Sequence, residues 1–316
     1  MNDEKVDILL ATYNGEKYLE ELINSIVNQT YSNWYLIIRD DGSNDNTINI
    51  ITDYCEKYPD KITIVKDSYK NLGVIKNFSA LINYSQSKYI MFSDQDDIWL
   101  PNKIELSINK IKSYDNTYPL LIHTDLKVVD ENLNIISDSF WKYKNINPKD
   151  GLQLGNSLCQ NSVTGCTVII NKALKELITS IPEQVIMHDW WISIVALIFG
   201  KVYYITETTI LYRQHSNNTL GAGINFSFLS KLLIVLNANK LAKYIDKVKT
   251  MDKLSQNQAK YIIERFDSKI RPDRLKVLSE YSNLSENNFL SRKFKIFKYK
   301  YFKTSFIRNI SMFFFS

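Results

Sequence analysis

Through roughly the first hundred residues, short apolar runs alternate with longer segments that are apolar on one helical face. Val6–Ala11, broken only by Asp7, reads as a buried strand, and Glu16–Asn28 places Leu19, Leu22, Ile23, Ile26 and Val27 on one helical stripe. Trp34–Ile38 is the next strand, after which Asp45 can cap a helix running to about Lys57. Ile62–Val65 is strand-like, Val74–Tyr84 helix-like and Tyr89–Phe92 a strand. Pro101 suits the first turn of a helix reaching about Lys112. Apolar strands alternating with helices predict an α/β fold with a mostly parallel central sheet flanked by helices. Ligands gather at the carboxyl ends of such strands. That rule selects three loops, Thr12–Gly15, Asp40–Asp45 and Ser93–Trp99.

Beyond residue 115 the pattern changes. Leu120–Val129 and Val163–Ile170 read as strands, Met187–Phe199 as an apolar helix, and Val202–Ile205 and Thr209–Tyr212 as short strands. From about Phe226 onward the pattern is helical, with Leu and Lys alternating through residue 260. The expected division is an α/β domain over residues 1–224 and a helical extension over 225–316. With 316 residues, 45% hydrophobic and 23% charged, the chain can bury a full core and is not globally disordered. Cys55, Cys159 and Cys166 are too sparse for a disulfide framework and read as reduced thiols, Cys166 as a small core residue. The N-terminus lacks the basic start and long apolar stretch of a signal peptide, and no run has the length of a spanning helix. The expectation is therefore a cytoplasmic catalytic part. Charge is unevenly placed. Residues 289–316 hold seven Lys and Arg and no acid, so the chain's net +5 less the tail's +7 leaves −2 for residues 1–288.

Two of the three selected loops are rich in carboxylates. Asp94-Gln95-Asp96-Asp97 sets three acids in four residues at a strand's carboxyl end. A hard divalent cation that also meets phosphate oxygens relieves their repulsion; the alternative is a solvated acidic turn. In Arg39-Asp40-Asp41-Gly42-Ser43 an acid is placed to accept from a ribose hydroxyl or a base N–H, beside a glycine turn and a helix cap. His188-Asp189 opens an apolar helix, where the carboxylate is either a cap or a general base. The helix dipole would weaken such a base, which is tolerable if the hydroxyl becomes acidic only as its bond forms. In Tyr212-Arg213-Gln214-His215 the lone histidine reads as structural or, among polar residues after a short strand, as a ligand, and Arg213 can pair with phosphate. Phosphate-binding, zinc-protease and serine-hydrolase motifs are absent, and Gly221-Ala222-Gly223 matches a dinucleotide fingerprint only weakly.

The segments VDILLATYNGEKYL, RDDGSNDNT and FSDQDDIWLPNKI, in that order, resemble glycosyltransferase family 2, whose nucleotide-sugar-binding fold is called GT-A. The later TGC (164–166), HDWW (188–191) and YRQHSNNTLG (212–221) resemble its bacterial rhamnosyltransferase-like branch, which builds surface polysaccharides. The resemblance covers about residues 4–221. It implies a metal-dependent inverting glycosyltransferase that moves a sugar from a nucleotide-diphosphate donor to a glycan or lipid-linked oligosaccharide. Thr12, Tyr13 and Asn14 would line the nucleotide pocket, with Asp41 on the base, Lys76 and Asn77 near the diphosphate, and Gln95 on the donor side. Asp94 and Asp96 would form the metal motif, with His215 a third ligand for Mn²⁺ or Mg²⁺. Asp189 would be the base, although His188 stands where many relatives carry an acid. Gly165 would lie on the acceptor side, and Trp99 and Trp190 would offer flat faces to sugar rings, whereas Trp191 reads as core.

Leu290, Phe294, Phe297 and Tyr301 share a helical face within the basic tail. With snorkelling lysines beside it, this reads as a foot on an anionic membrane surface, placing the protein peripherally at the inner face of the plasma membrane. A basic helix docked on the acidic body is the competing reading, and single-stranded nucleic acid is the less favoured one. Two other functions compete with sugar transfer. A sugar-nucleotide pyrophosphorylase would need a Gly-rich basic loop, and Thr12–Glu16 has one Gly and an acid. A non-catalytic sugar-binding module would have no use for the acidic motif.

Overall fold

Asp7 is the acid inside the first strand, and its surroundings explain why the strand still forms. Its carboxylate accepts hydrogen bonds from the Ser85 and Ser87 hydroxyls and from the N–H groups of Gln86 and Ser87, at 2.6–2.9 Å. So satisfied, β1 (Val6–Thr12) runs through the interior. The computed structural model describes residues 4–215, 238–303 and Asn309. β1 pairs in parallel with β2 (Trp34–Asp40) and β4 (Tyr89–Ser93), and β2 with β3 (Ile62–Ile64). The connections carry α1 (Leu19–Val27), α2 (Thr47–Lys57) and α3 (Gly73–Tyr84). Each helix buries the apolar stripe visible in its sequence, as α1 does with Leu19, Leu22, Ile23 and Ile26.

After β5 (Ile98–Trp99) and α4 (Lys103–Lys112) the sheet changes character. β6 (Leu120–Val129) is joined to β4 through β8 (Ile169–Asn171), which is antiparallel to both. β7 (Ile135–Ser137) hangs on β6, and β9 (Lys201–Arg213) runs parallel to β6. The strand order is β3-β2-β1-β4-β8-β6-β9-β5. The sheet is thus parallel through its N-terminal half and mixed beyond it.

The segment expected as a strand over 163–170 pairs only from Ile169; Gly165–Thr167 is a 3₁₀ turn that directs a backbone N–H at Asp189. The two short strands expected after residue 200 are one, β9, whose register against β6 shifts between Thr124 and Lys127. Pro101 precedes α4 rather than opening it, and its carbonyl accepts from Thr30 N–H. β9 pairs antiparallel with β5, Ile98 opposite Leu211 and Trp99 opposite Ile210. This pairing delivers the end of β9 to the acidic turn after β4. α7 (Lys172–Leu177) and α8 (His188–Phe199) follow β8.

The chain divides into two units. The first holds residues 1–140, 163–183 and 187–219, and so contains every candidate site residue. The second groups residues 141–162 and 184–186 with 220–316. α5 (Phe140–Lys144) begins where the second unit's first segment starts, and α6 (Leu154–Cys159) lies within that segment. Its later part is helical: Ala238–Phe266, Pro272–Ser282 and Phe289–Tyr299. Tyr281 and Ser255 share a hydrogen bond at 2.8 Å, and Lys303 pairs with Asp252 in the interior. Tyr301 leaves the helical face expected of it. The helix stops at Lys300, whose φ of 56° is left-handed, and Tyr301 turns inward to donate to Val277 O at 2.6 Å. Among the described residues no helix is long and apolar enough to cross a membrane. Ser216–Gly221 of the last motif, Ala222-Gly223, the expected boundary at 224/225 and tail residues 304–308 and 310–316 lie outside the described residues.

Candidate active site

The loop after β1 is laced to the loop after β2. Thr12 Oγ1 donates to Asp40 at 2.9 Å, and that carboxylate also takes the N–H groups of Gly42 and Ser43 and the Ser43 hydroxyl. Asn14, at a left-handed φ of 49°, donates its N–H to Ser43 Oγ and accepts from Asn44 N–H. The Tyr13 side chain is left exposed beside them. Asp41, expected to meet a base, is turned inward instead. Its oxygens accept from Arg39, Leu72 N–H and Gly73 N–H at 2.8–3.2 Å. The reason is Arg39, a buried cation that also bonds Asp67, Asn77 Oδ1 and Tyr69 O and so draws the 67–73 segment onto β2. The sequence reading missed this hub; its one signal is an arginine within an otherwise apolar strand. Asn77 belongs to the hub, and Lys76 is half-exposed and paired with Glu183 at 2.8 Å.

The acidic turn is tied to the same loop by Gln95. Its side-chain amide accepts from Tyr13 N–H at 2.8 Å and donates to Tyr13 O at 2.9 Å, the pairing a neighbouring strand would make. Gly15 permits the approach, since a Cβ there would come 2.5 Å from Gln95 Oε1. Behind the turn lies an interior cluster. Asp97 is fully buried, accepts from Arg213 N–H at 3.3 Å through Oδ1 and has no partner at Oδ2. Burial drives its carboxyl well above the usual carboxylate range and the Cys166 thiol well above that of a free cysteine. Lys103 is buried with its amine 4.4 Å from the Trp99 ring, and burial lowers it to about 8. Trp99 is therefore no sugar platform: it is 2% exposed and covered by Lys103.

Asp94 belongs to this cluster, with its carboxylate beside Asp97 and the Cys166 thiol. Burial, then the charges of Asp96 and Asp189, push the Asp94 carboxyl up to about 7. Asp96 Oδ2 lies 2.8 Å from His215 Nε2, a contact across 119 residues. Arg213 holds that arrangement from beneath rather than meeting phosphate. It donates to Asp96 O at 3.1 Å and Glu131 O at 2.8 Å, pairs with Glu21 and stacks on Tyr18 at 4.3 Å. The ligand atoms of Asp94, Asp97 and Cys166 lie within 4.8 Å of one another, and Asp97 and Cys166 are fully buried, with burial raising both. Asp94, Asp96 and His215 offer two carboxylates and an imidazole nitrogen, the donor types a divalent cation takes, although among the described residues the group whose ligand atoms converge is Asp94, Asp97 and Cys166.

Asp189, whose charge reaches Asp94, lies in the first turn of α8. Met187 is the residue before the helix, so Asp189 is not a simple cap. Its Oδ2 accepts from Gly165 N–H at 3.0 Å and its Oδ1 from Trp190 N–H at 2.6 Å. A small cavity beside it is lined by Phe92, Gly165, Val168, His188, Asp189 and Ile192. Gly165 has to be small: a Cβ would lie 2.9 Å from His188 Nε2. Trp190 and Trp191 are both buried, so Trp190 offers no exposed face.

His188 stacks on Phe78 at 4.2 Å, has no partner at either ring nitrogen, and is lowered by burial to about 3, hence neutral. An unfolded histidine titrates near 6.5, so between that pH and about 3 the unfolded chain binds a proton the folded chain refuses. Stability contributed by neutral His188 is therefore lost as pH falls through that window. In urea titrations, wild type should lose ground to His188→Phe by up to roughly 1 kcal/mol per pH unit below 6.5. A pH-independent difference would contradict a buried neutral ring.

Residues 7–178 match the family model described as Glycosyl transferase family 2. The chain belongs to glycosyl transferase family 2. The dTDP-rhamnosyl transferase RfbG of Shigella flexneri is 32% identical over 76% of this chain and 83% of its own length. The UDP-Glc:alpha-D-GlcNAc-diphosphoundecaprenol beta-1,3-glucosyltransferase WfgD of Escherichia coli is 28% identical over 55% of this chain, which spans 63% of its length. Among solved structures, mannosyltransferase PcManGT from Pyrobaculum calidifontis, with GDP-Man and Mn²⁺, is similar in fold: TM-score 0.54 at 12% identity, covering 99% of this chain and 86% of that one. This glycosyltransferase thus has the GT-A fold, with the loop after β1 and the acidic turn joined by the Gln95 amide. Gln95→Ala removes two hydrogen bonds worth about 1 kcal/mol each and should weaken nucleoside diphosphate binding by up to about thirtyfold by calorimetry. Unchanged affinity would mean that the loop is ordered without the amide.

Proposed function

We propose that this glycosyltransferase is metal-dependent and inverting. It moves a hexosyl unit, rhamnosyl by its similarity to RfbG, from a nucleotide-diphosphate donor to a glycan hydroxyl in cell-surface polysaccharide synthesis. The observation that carries the reading is a cluster of acids from distant elements: Asp96 lies 2.8 Å from His215, and the charges of Asp96 and Asp189 both reach Asp94.

Thr12, Tyr13 and Asn14 hold the nucleoside side of the donor. Lys76 meets the diphosphate by leaving Glu183, an exchange that costs little between half-exposed partners. A Mn²⁺ or Mg²⁺ ion held by Asp94, Asp96 and His215 would offset charge on the departing diphosphate. Gly165 and Trp190 N–H groups fix the Asp189 carboxylate, which accepts the proton of the acceptor hydroxyl as its oxygen bonds the anomeric carbon. The bond from that carbon to the diphosphate oxygen breaks on the opposite face, and its electron pair leaves with the nucleoside diphosphate. One displacement inverts the anomeric centre.

The acceptor is a lipid-linked oligosaccharide, and the protein works peripherally at the inner face of the plasma membrane. The name of WfgD, which specifies a diphosphoundecaprenol acceptor, and the basic tail support this reading. The test is a panel of dTDP-, UDP- and GDP-sugars assayed for nucleoside diphosphate release with and without Mn²⁺. One donor should be cleaved only with the ion. Cleavage of every donor equally well in chelator would overturn the metal dependence, and absence of cleavage or transfer across the panel would overturn the donor class.

A further inference from the structure

The helix Phe289–Tyr299 wears its apolar side outward. Leu290, Phe294 and Phe297 are 77%, 65% and 63% exposed. At positions i, i+4 and i+7 they form one narrow stripe. Ile296 is the residue of this helix that is buried. The helix is held in that rotation at both ends. Asn288 caps it by accepting Ser291 N–H at 2.9 Å, and beyond Lys300 the Tyr301 hydroxyl is fixed on Val277 O. On the docked side Lys295 pairs with Glu280 at 2.6 Å. Lys293 and Lys298 lie about 70° to either side of the stripe at 100° per residue. They sit close to the rings of the outer face, 3.8 Å from the Phe289 centroid and 5.4 Å from that of Phe294.

The geometry points to an anionic lipid bilayer as the partner of this face, with Leu290, Phe294 and Phe297 entering the acyl region and Lys293 and Lys298 meeting lipid phosphates. Charge complementarity selects that partner: residues 289–316 hold seven cations and no acid, and although Lys295 and Lys303 are paired inward with Glu280 and Asp252, Lys293 and Lys298 flank the apolar stripe. Leu290 argues against nucleic acid: the most exposed member of the stripe has no ring on which a base can stack, whereas acyl chains accept Leu and Phe alike. The inference rests on the peripheral-membrane part of the proposed function and names the residues that make the contact. It does not depend on the transfer chemistry.

The experiment is co-sedimentation of the full chain, without donor or metal ion, on phosphatidylcholine vesicles and on vesicles mixed with phosphatidylglycerol. Wild type should bind the anionic vesicles and release them as salt rises. Lys293→Gln with Lys298→Gln should weaken binding about thirtyfold, roughly fivefold for each charge. Phe294→Ser with Phe297→Ser should weaken it at least as much while all cations remain. Because these side chains are exposed, thermal melts should match wild type and show that the loss is not unfolding. Absence of binding to anionic vesicles overturns the inference. So does full binding by the double Phe variant, which would reduce the contact to charge alone, and so does tighter binding to a single-stranded oligonucleotide than to vesicles. Nucleoside diphosphate release measured in solution on the same samples separates failure of the membrane contact from failure of the transferase reading.

Discussion

Asp189→Asn should cut sugar transfer by between about a hundredfold and ten-thousandfold, the range of a lost general base, while the donor still binds. The substitution keeps the shape of the side chain and an oxygen to accept from Gly165 N–H, so α8 and the 3₁₀ turn stay joined, at the cost of the bond from Trp190 N–H, which the amide nitrogen cannot accept. What it removes is the proton acceptor. It also removes one of the charges that raise Asp94, after burial and Asp96, so Asp94 should ionise more readily and hold a cation at least as well. The diagnostic result is therefore a split: turnover collapses, while Mn²⁺ and nucleoside diphosphate affinities measured by calorimetry stay within a few fold. Normal transfer by the Asn variant would remove Asp189 from the role of base. Equal losses in binding and turnover would make it a structural residue.

Asp96→Ala should abolish Mn²⁺ binding and transfer together. The main chain at this position is secured independently, because Arg213 donates to the Asp96 carbonyl and not to its carboxylate. Truncation therefore deletes a ligand without releasing the turn. It also leaves His215 Nε2 without its 2.8 Å partner. Mn²⁺ affinity should fall by more than the 10–100-fold that is typical when only an outer partner of a ligand is lost. Electron paramagnetic resonance of added Mn²⁺ reads this without turnover, and excess Mn²⁺ should not restore activity. Retention of tightly bound Mn²⁺ by the Ala variant would place the ion elsewhere, with Asp94 and its buried neighbours the next site to test.

Sequence periodicity alone determined the alternation of strands and helices through β4, the helix α4, the loops at the strands' carboxyl ends and the acidic turn that ends β4, but not β5, which lies in the segment read as a loop over Ser93–Trp99. Those features are local: an apolar strand, a one-sided helix and a run of carboxylates each declare themselves within about ten residues. Periodicity failed where long-range pairing sets the backbone. The 163–170 segment is mostly a turn because Gly165 has to present its N–H to Asp189 from a different element. Likewise β9 is a single strand because β6 pairs along nearly its whole length.

Side-chain direction was the part only the tertiary structure decided. Asp41, Arg39 and Arg213 are residue types that bind ligands, and each is turned inward because a buried opposite charge or an unpaired carbonyl claims it. Trp99 and Trp190 have the composition of sugar platforms, but burying a large ring outweighs exposing it, so both became core. The contact of Asp96 with His215, and the influence of the Asp189 charge on Asp94, join residues far apart in the chain. No local pattern encodes such distances. They follow from the order of strands in the sheet, which sets the end of β9 and the start of α8 beside the turn after β4.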